Sequence, residues 1–263
     1  MSQHKVESKG SKATIDTNGG RLSSLEIFGQ EVMITEGPKP TRWGSFPMIP
    51  WCGRLAFGKL FYAGNNYDMP LTSPPHANHG FTHIKEWDLV SADAGLVELS
   101  TELDSPWPFG GAVTQSFKIS ENTMSVKAEV TAADQAMPVM IGWHPWFRKV
   151  LSNGSQAVLD VKPSAMYAVT SEQIPTGELV PVSEPPWDEC FVGLENDPVI
   201  SYPGSFDLKI ESNFDHWVVF TEPEHGLCVE PQSGQPNQSN TDPRVLEPGE
   251  TFSGSMTFIW EKN

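Results

Sequence analysis

From Met124 to Thr131 apolar and polar residues alternate, with Met124, Val126, Ala128 and Val130 on one parity and Ser125, Lys127, Glu129 and Thr131 on the other. Successive side chains of an extended chain point to opposite faces, so this period of two predicts a strand with one buried face. The C-terminal segment repeats the pattern: Phe252, Gly254, Met256, Phe258 and Trp260 share a parity against Ser253, Ser255 and Thr257. A strand so near the chain end is expected to close a sheet. Turn-forming residues recur between such runs, at Gly64-Asn65-Asn66, Asp93-Ala94-Gly95, Ser120-Glu121-Asn122, Asn153-Gly154 and Pro203-Gly204. Each is flanked by β-branched or aromatic residues, which predicts hairpins. No stretch of a dozen residues spaces its apolar positions for a helix, and 23 prolines interrupt the chain throughout. The expected fold is all-β, an antiparallel sandwich or barrel, and residues 1–263 read as a single domain because no repeat or low-complexity linker divides them.

Charge narrows the list of partners. Seventeen basic residues against 33 acidic ones give a formal charge of −16, which repels phosphate backbones and anionic lipid surfaces. Neither nucleic acid nor membrane is expected, and a small neutral or cationic ligand fits better. Cys52, Cys190 and Cys228 are far apart and form no CxxC pair, so neither a disulfide framework nor a zinc knuckle is predicted. A polar N-terminus and the lack of an apolar run of roughly 18 residues lead to the expectation of a cytoplasmic protein, monomeric or homodimeric.

Five side chains stand out for chemistry. His144 lies in Ile141-Gly142-Trp143-His144-Pro145-Trp146-Phe147, a titratable ring among aromatics where burial and a neighbouring charge tune proton affinity; a histidine bonded to a backbone carbonyl would fit the same surroundings. Pro145 beside it argues against a regular strand interior. Glu230 follows Gly226-Leu227-Cys228-Val229 and precedes Pro231, so it is placed where a strand leaves the core, either as a partly desolvated base or as an ordinary solvated carboxylate. Arg54 sits inside the apolar run Pro50-Trp51-Cys52-Gly53-Arg54-Leu55 and needs an anion or an oxygen as partner. His79 precedes Gly80, and Asp188 begins an acidic pair beside aromatics in Trp187-Asp188-Glu189-Cys190-Phe191. For these three a surface loop is the alternative. His76, His79, His83 and Glu86 invite a metal reading, but a strand-borne pair wants residues two apart, so no metal is expected there. GxSxG, Walker and GxGxxG patterns are all missing from the sequence.

Taken together, these segments resemble the aldose 1-epimerase family. The resemblance rests on five motifs in order: Gly53-Arg54-Leu55 with Gly58, Phe61 and Gly64; His79-Gly80 leading to Trp87; His144-Pro145-Trp146-Phe147; Asp188-Glu189-Cys190-Phe191; and Cys228-Val229-Glu230-Pro231. Two positions depart from the family pattern, Gly53 where asparagine is common and Trp146 where tyrosine is usual. The resemblance implies a large twisted antiparallel β-sandwich of the galactose mutarotase type, a monosaccharide substrate and no cofactor. It assigns Glu230 as the base and His144 as the acid, with Arg54, His79 and Asp188 binding the sugar. Two rivals keep the scaffold: a hexose-6-phosphate epimerase, which needs positioned cations, and a non-catalytic sugar-binding protein.

Overall fold

The computed structural model describes residues 2–263. Two antiparallel sheets carry nearly all of the regular structure. The eight-stranded sheet orders its strands as Asp88–Asp93, Leu96–Glu102, Ala112–Ile119, Thr123–Thr131, Thr251–Lys262, Phe206–Ser212, Val199–Tyr202 and Val158–Asp160. The eleven-stranded sheet runs from Gln3–Ser8 through Ser11–Asp16, Arg21–Ile27, Ser45–Met48, Gly142–Arg148, Gly226–Gln232, His216–Phe220, Asp188–Leu194 and Pro163–Val169 to Pro175–Val180, with Gln30–Glu31 attached beside Arg21–Ile27. Helical structure among the described residues is confined to short 3-10 turns, and no helix is long and apolar enough to cross a membrane.

The alternating segments form the strands their periodicity predicts. Met124, Val126, Ala128 and Val130 are buried and pair with Phe258, Met256, Gly254 and Phe252. One expectation is corrected here: Thr251–Lys262 does not close the sheet but lies inside it, bonded to Thr123–Thr131 on one side and Phe206–Ser212 on the other. Twelve residues of mostly apolar or small side chains can bury an inner face against partners on both flanks. The turns at Ala63-Gly64, Ala94-Gly95, Glu121-Asn122 and Pro203-Gly204 all join hairpin strands.

Parity decides which side chains enter the core between the sheets. Trp143 donates from Nε1 to Gln115 Oε1 of the opposite sheet at 2.8 Å, and the Phe147 ring meets Phe258 edge-on with centroids 5.5 Å apart. Residues 143, 145 and 147 therefore face the second sheet, and His144 and Trp146 face away from it. That outer face would ordinarily be wet. Here the connecting segments fold back over it, so six of the seven residues of Gly142–Arg148 and all seven of Gly226–Gln232 are buried.

Candidate functional site

Strand register brings His144 and Glu230 together. Gly142 pairs with Gln232 and Trp146 with Cys228 in unchanged register, so the residues midway, His144 and Glu230, stand opposite each other on the covered face. Pro145 lies within this central strand, against the expectation that proline would mark its edge; lacking an N–H, it sits in the stretch between these two pairings. His144 Nε2 and Glu230 Oε1 are 3.2 Å apart, and the two residues are 5% and 2% exposed. Glu230 was expected where a strand leaves the core. Instead the strand continues through Pro231 to Gln232, and Glu230 is fully enclosed.

Burial sets the charge of this pair. It pushes the Glu230 carboxyl well above its ordinary value, helped by the negative charge of Asp188 and opposed by Arg54 and Gln232. It pushes His144 down to about 3, with the positive charge of Arg42 adding to the effect. Both shifts run toward the uncharged forms, which disfavours a fixed ion pair across this 3.2 Å contact. At this distance a proton passed from Oε1 to Nε2 would give carboxylate and imidazolium, a base and an acid side by side. Gln232 Nε2 donates to Glu230 Oε2 at 3.4 Å. Phe46 stacks on the imidazole at 4.8 Å between centroids, and Trp146 at 5.4 Å, which fixes its plane.

The remaining predicted residues converge on the same place. Arg54 and Asn78 are partners in a two-stranded ribbon, Arg54–Leu55 with Ala77–Asn78, so two motifs distant in sequence form one piece of structure. Arg54 donates from Nη2 to Asp188 Oδ2 at 3.0 Å, with both side chains about one-third exposed. The buried-arginine expectation is met by this carboxylate. His79 leaves the ribbon at φ +64°, bonded from its backbone N to Gly53 O at 2.9 Å, and its ring meets His144 edge-on at 5.0 Å. Gly80 is required: at φ +64° a Cβ there would lie 1.9 Å from the Ile49 carbonyl oxygen. Gly53 has a similar reason. It holds φ +58°, and a Cβ would meet the Pro236 ring at 2.7 Å, so Pro236 occupies the space an asparagine side chain would start from.

These residues line a cavity of about 200 Å³. His79, His144, Glu230, Arg54 and Asp188 all reach it, and so do Lys39, Arg42, Gln232 and Gln173. The last four were not singled out from the sequence. Arg42 and Lys39 lie in a connecting segment without periodicity, and Gln232 was visible only as the next same-parity residue after Glu230. Of the two Pro-rich loops, Pro74-Pro75 follows the lining residues Thr72 and Ser73, whereas Pro185-Pro186 does not line the cavity.

The histidine-rich stretch does not assemble a ligand set. His76 accepts from the Phe57 N–H at Nδ1, 3.1 Å, and its Nε2 bonds Glu172 O at 3.0 Å; His83 packs on Phe46; Glu86 accepts from the Thr17 hydroxyl at 2.5 Å. The metal-ligating side chains that do converge among the described residues are His144, Cys228 and Glu230, within 4.8 Å of one another. Burial, the largest cause, drives the Cys228 thiol well above its ordinary value.

Comparison with known proteins is consistent along the whole chain. Residues 2–258 match the family model described as aldose 1-epimerase. A relative from Escherichia coli, the uncharacterized protein YihR, is 26% identical over 90% of this chain and 86% of its own. Among solved structures, a galactose mutarotase-like protein from Clostridium acetobutylicum superposes with a TM-score of 0.89 at 17% identity, covering 98% of this chain and 95% of that one. An aldose epimerase homologue from C. elegans gives 0.86 at 15% identity, covering 99% of each. At these identities the structures show a common fold.

Proposed function

The chain belongs to the aldose 1-epimerase family, and from that premise we propose that it interconverts the α and β anomers of an aldose by acid and base catalysis from Glu230 and His144. The observation that carries this reading is the enclosed pair of an imidazole and a carboxyl group 3.2 Å apart in the cavity. Opening a cyclic hemiacetal needs a proton removed from the anomeric hydroxyl and one delivered to the ring oxygen, with no net change in the enzyme.

In this reading the sugar lies over the covered face with its anomeric hydroxyl at Glu230 and its ring oxygen at His144. Glu230, as carboxylate, takes the O1 proton while His144 Nε2–H gives its proton to the ring oxygen; the C1–O5 bond breaks and an aldehyde forms. Rotation about C1–C2 presents the other carbonyl face. The steps then run backwards: O5–H returns a proton to His144 as it attacks C1, and Glu230 returns its proton to O1. Paired acid and base groups each contribute on the order of 10²–10⁴-fold, ample for a reaction that already proceeds in water. Arg54 and Asp188, fixed on each other, and His79 bind hydroxyls and orient the ring. No step draws on a cofactor.

The test is a polarimetric time course of freshly dissolved α-D-glucose and α-D-galactose, with His144→Ala as control. The expected result is faster approach to the same final rotation, lost in the variant. Equal acceleration by His144→Ala would remove the acid assignment; no acceleration of any aldose would leave sugar binding as the function of the scaffold.

A further inference from the structure

The charge around the cavity runs opposite to that of the molecule. In a chain with 33 acidic and 17 basic residues, the lining holds Lys39, Arg42 and Arg54 against Asp188 and Glu230. Arg54 is matched by Asp188 at 3.0 Å, and Glu230 is held toward its uncharged acid. The charges of Lys39 and Arg42 are left over. Among the described residues neither side chain has a hydrogen bond or an ion pair, although carboxylates outnumber cations almost two to one over the chain.

Arg42 is nevertheless held in place. Its guanidinium lies over the rings of Trp146 and Phe220, 5.6 and 5.9 Å from their centroids. Trp146 also donates from Nε1 to the Thr41 carbonyl at 3.0 Å, pinning the turn Pro40–Arg42 that carries the charge. Trp146 is one of the two departures from the family pattern, and this is what its indole N–H does. A guanidinium held over aromatic rings without a hydrogen-bond partner keeps its N–H donors available to an oxyanion. A cation left without a carboxylate in so acidic a protein points to an anion arriving with the ligand.

We propose that the preferred substrate is an aldose carrying an anionic group (phosphate, sulfate or carboxylate) on a carbon remote from C1, with the anomeric centre at Glu230 and His144 and the anion between Arg42 and Lys39. The proposal rests on the anomer-interconverting reading and names its substrate class. It also gives Arg42 a part in timing: its positive charge opposes a proton on His144, and a bound anion cancels that charge, so imidazolium forms more readily once the right sugar is in place.

The experiment compares anomerisation of glucose, galactose, glucose 6-phosphate, glucose 6-sulfate and glucuronate, each corrected for its uncatalysed rate, in the wild type, Arg42→Gln, Arg42→Lys and Lys39→Gln. The expected result is a kcat/KM at least tenfold higher for one or more anionic sugars than for glucose, falling as salt is raised while that for glucose does not. Arg42→Gln should lower the anionic-to-neutral ratio at least tenfold, Lys39→Gln should lower it less, and Arg42→Lys should restore part of it. Preference for phosphate and sulfate over glucuronate identifies a tetrahedral oxyanion site, and the reverse a uronate site. A wild-type ratio near one, or a ratio unmoved by Arg42→Gln, overturns the proposal while leaving the epimerase reading intact. No acceleration of any of the five sugars overturns both.

Discussion

Along Thr123–Thr131 of the eight-stranded sheet, buried residues alternate with half-buried or exposed ones; along Gly226–Gln232 of the larger sheet every residue is buried. Both are central strands with partners on each side, so the difference lies in what covers their outer faces. The first turns Ser125, Lys127 and Glu129 to water, satisfied by one another or by solvent, as in Ser125 with Thr257 at 3.1 Å. The second turns Glu230 and Gln232 to a face that connecting segments enclose. A buried polar atom without a partner costs roughly 1–3 kcal/mol, yet Nδ1 of His79, His83 and His144 all lack one. The larger sheet and the segments over it bring His144, Glu230 and His79 into one cavity, polar groups enclosed at a cost to stability.

The largest effect expected from this contrast is catalytic. Glu230→Gln preserves shape and hydrogen-bonding reach but removes the base, and should lower kcat by about 10²–10⁴-fold while largely sparing sugar affinity by calorimetry. Unaltered turnover would break the contrast outright. Its counterpart is Met124→Ala in the eight-stranded sheet, where a fully buried side chain is lost. Stability should fall by about 2–5 kcal/mol in a denaturant titration, with kcat/KM within roughly twofold of wild type at a permissive temperature, where the variant remains folded. A large catalytic loss in the folded variant would mean that the two sheets are not separable in function.

Arg54→Gln gives a smaller effect. It leaves Asp188 without its partner and removes a donor from the cavity, so KM should rise about tenfold, roughly 1.4 kcal/mol, with a smaller change in kcat. A fall in kcat alone would place Arg54 in the chemistry rather than in binding.

The smallest effect concerns stability and pH, and its sign follows from the two shifts. Glu230 has a folded pKa raised above its ordinary 4.5, so its stabilising share is complete below that value and is lost as pH rises toward the folded pKa. His144, lowered from 6.5 to about 3, contributes above 6.5 and loses that share as pH falls toward 3. At neutral pH the carboxyl is therefore the destabilising member, and Glu230→Gln should melt higher by roughly 2–4 °C per kcal/mol recovered while being catalytically impaired. An equal or lower melting temperature at neutral pH would show that the enclosed carboxyl imposes no cost.

Much of the fold was legible in the sequence where one face is wet: 124–131 and 252–260 carry their period of two openly, and the hairpin turns are marked by Gly, Asn and Pro. The residues that converge on the candidate site were legible in the sequence, but their geometry was not. Glu230 and Pro145 both read as marking strand ends, because local signals do not reveal that a second covered face lets a strand continue with all its residues buried. Arg42 and Lys39 escaped notice for a related reason. Their segment has no periodicity, and what makes them matter comes from elsewhere in the chain: the Trp146 and Phe220 rings under Arg42 lie more than 100 residues away, and the cavity joins several distant segments.

The central claim is that His144 and Glu230 move protons at the anomeric centre as acid and base. Magnetisation-transfer NMR on an anomeric mixture at equilibrium measures it directly, since it reads the rate of exchange between the α and β signals without net reaction. The account predicts exchange that rises in proportion to wild-type enzyme and returns to the uncatalysed rate with Glu230→Gln at a concentration where the sugar still binds. Exchange as fast with Glu230→Gln as with the wild type would contradict it.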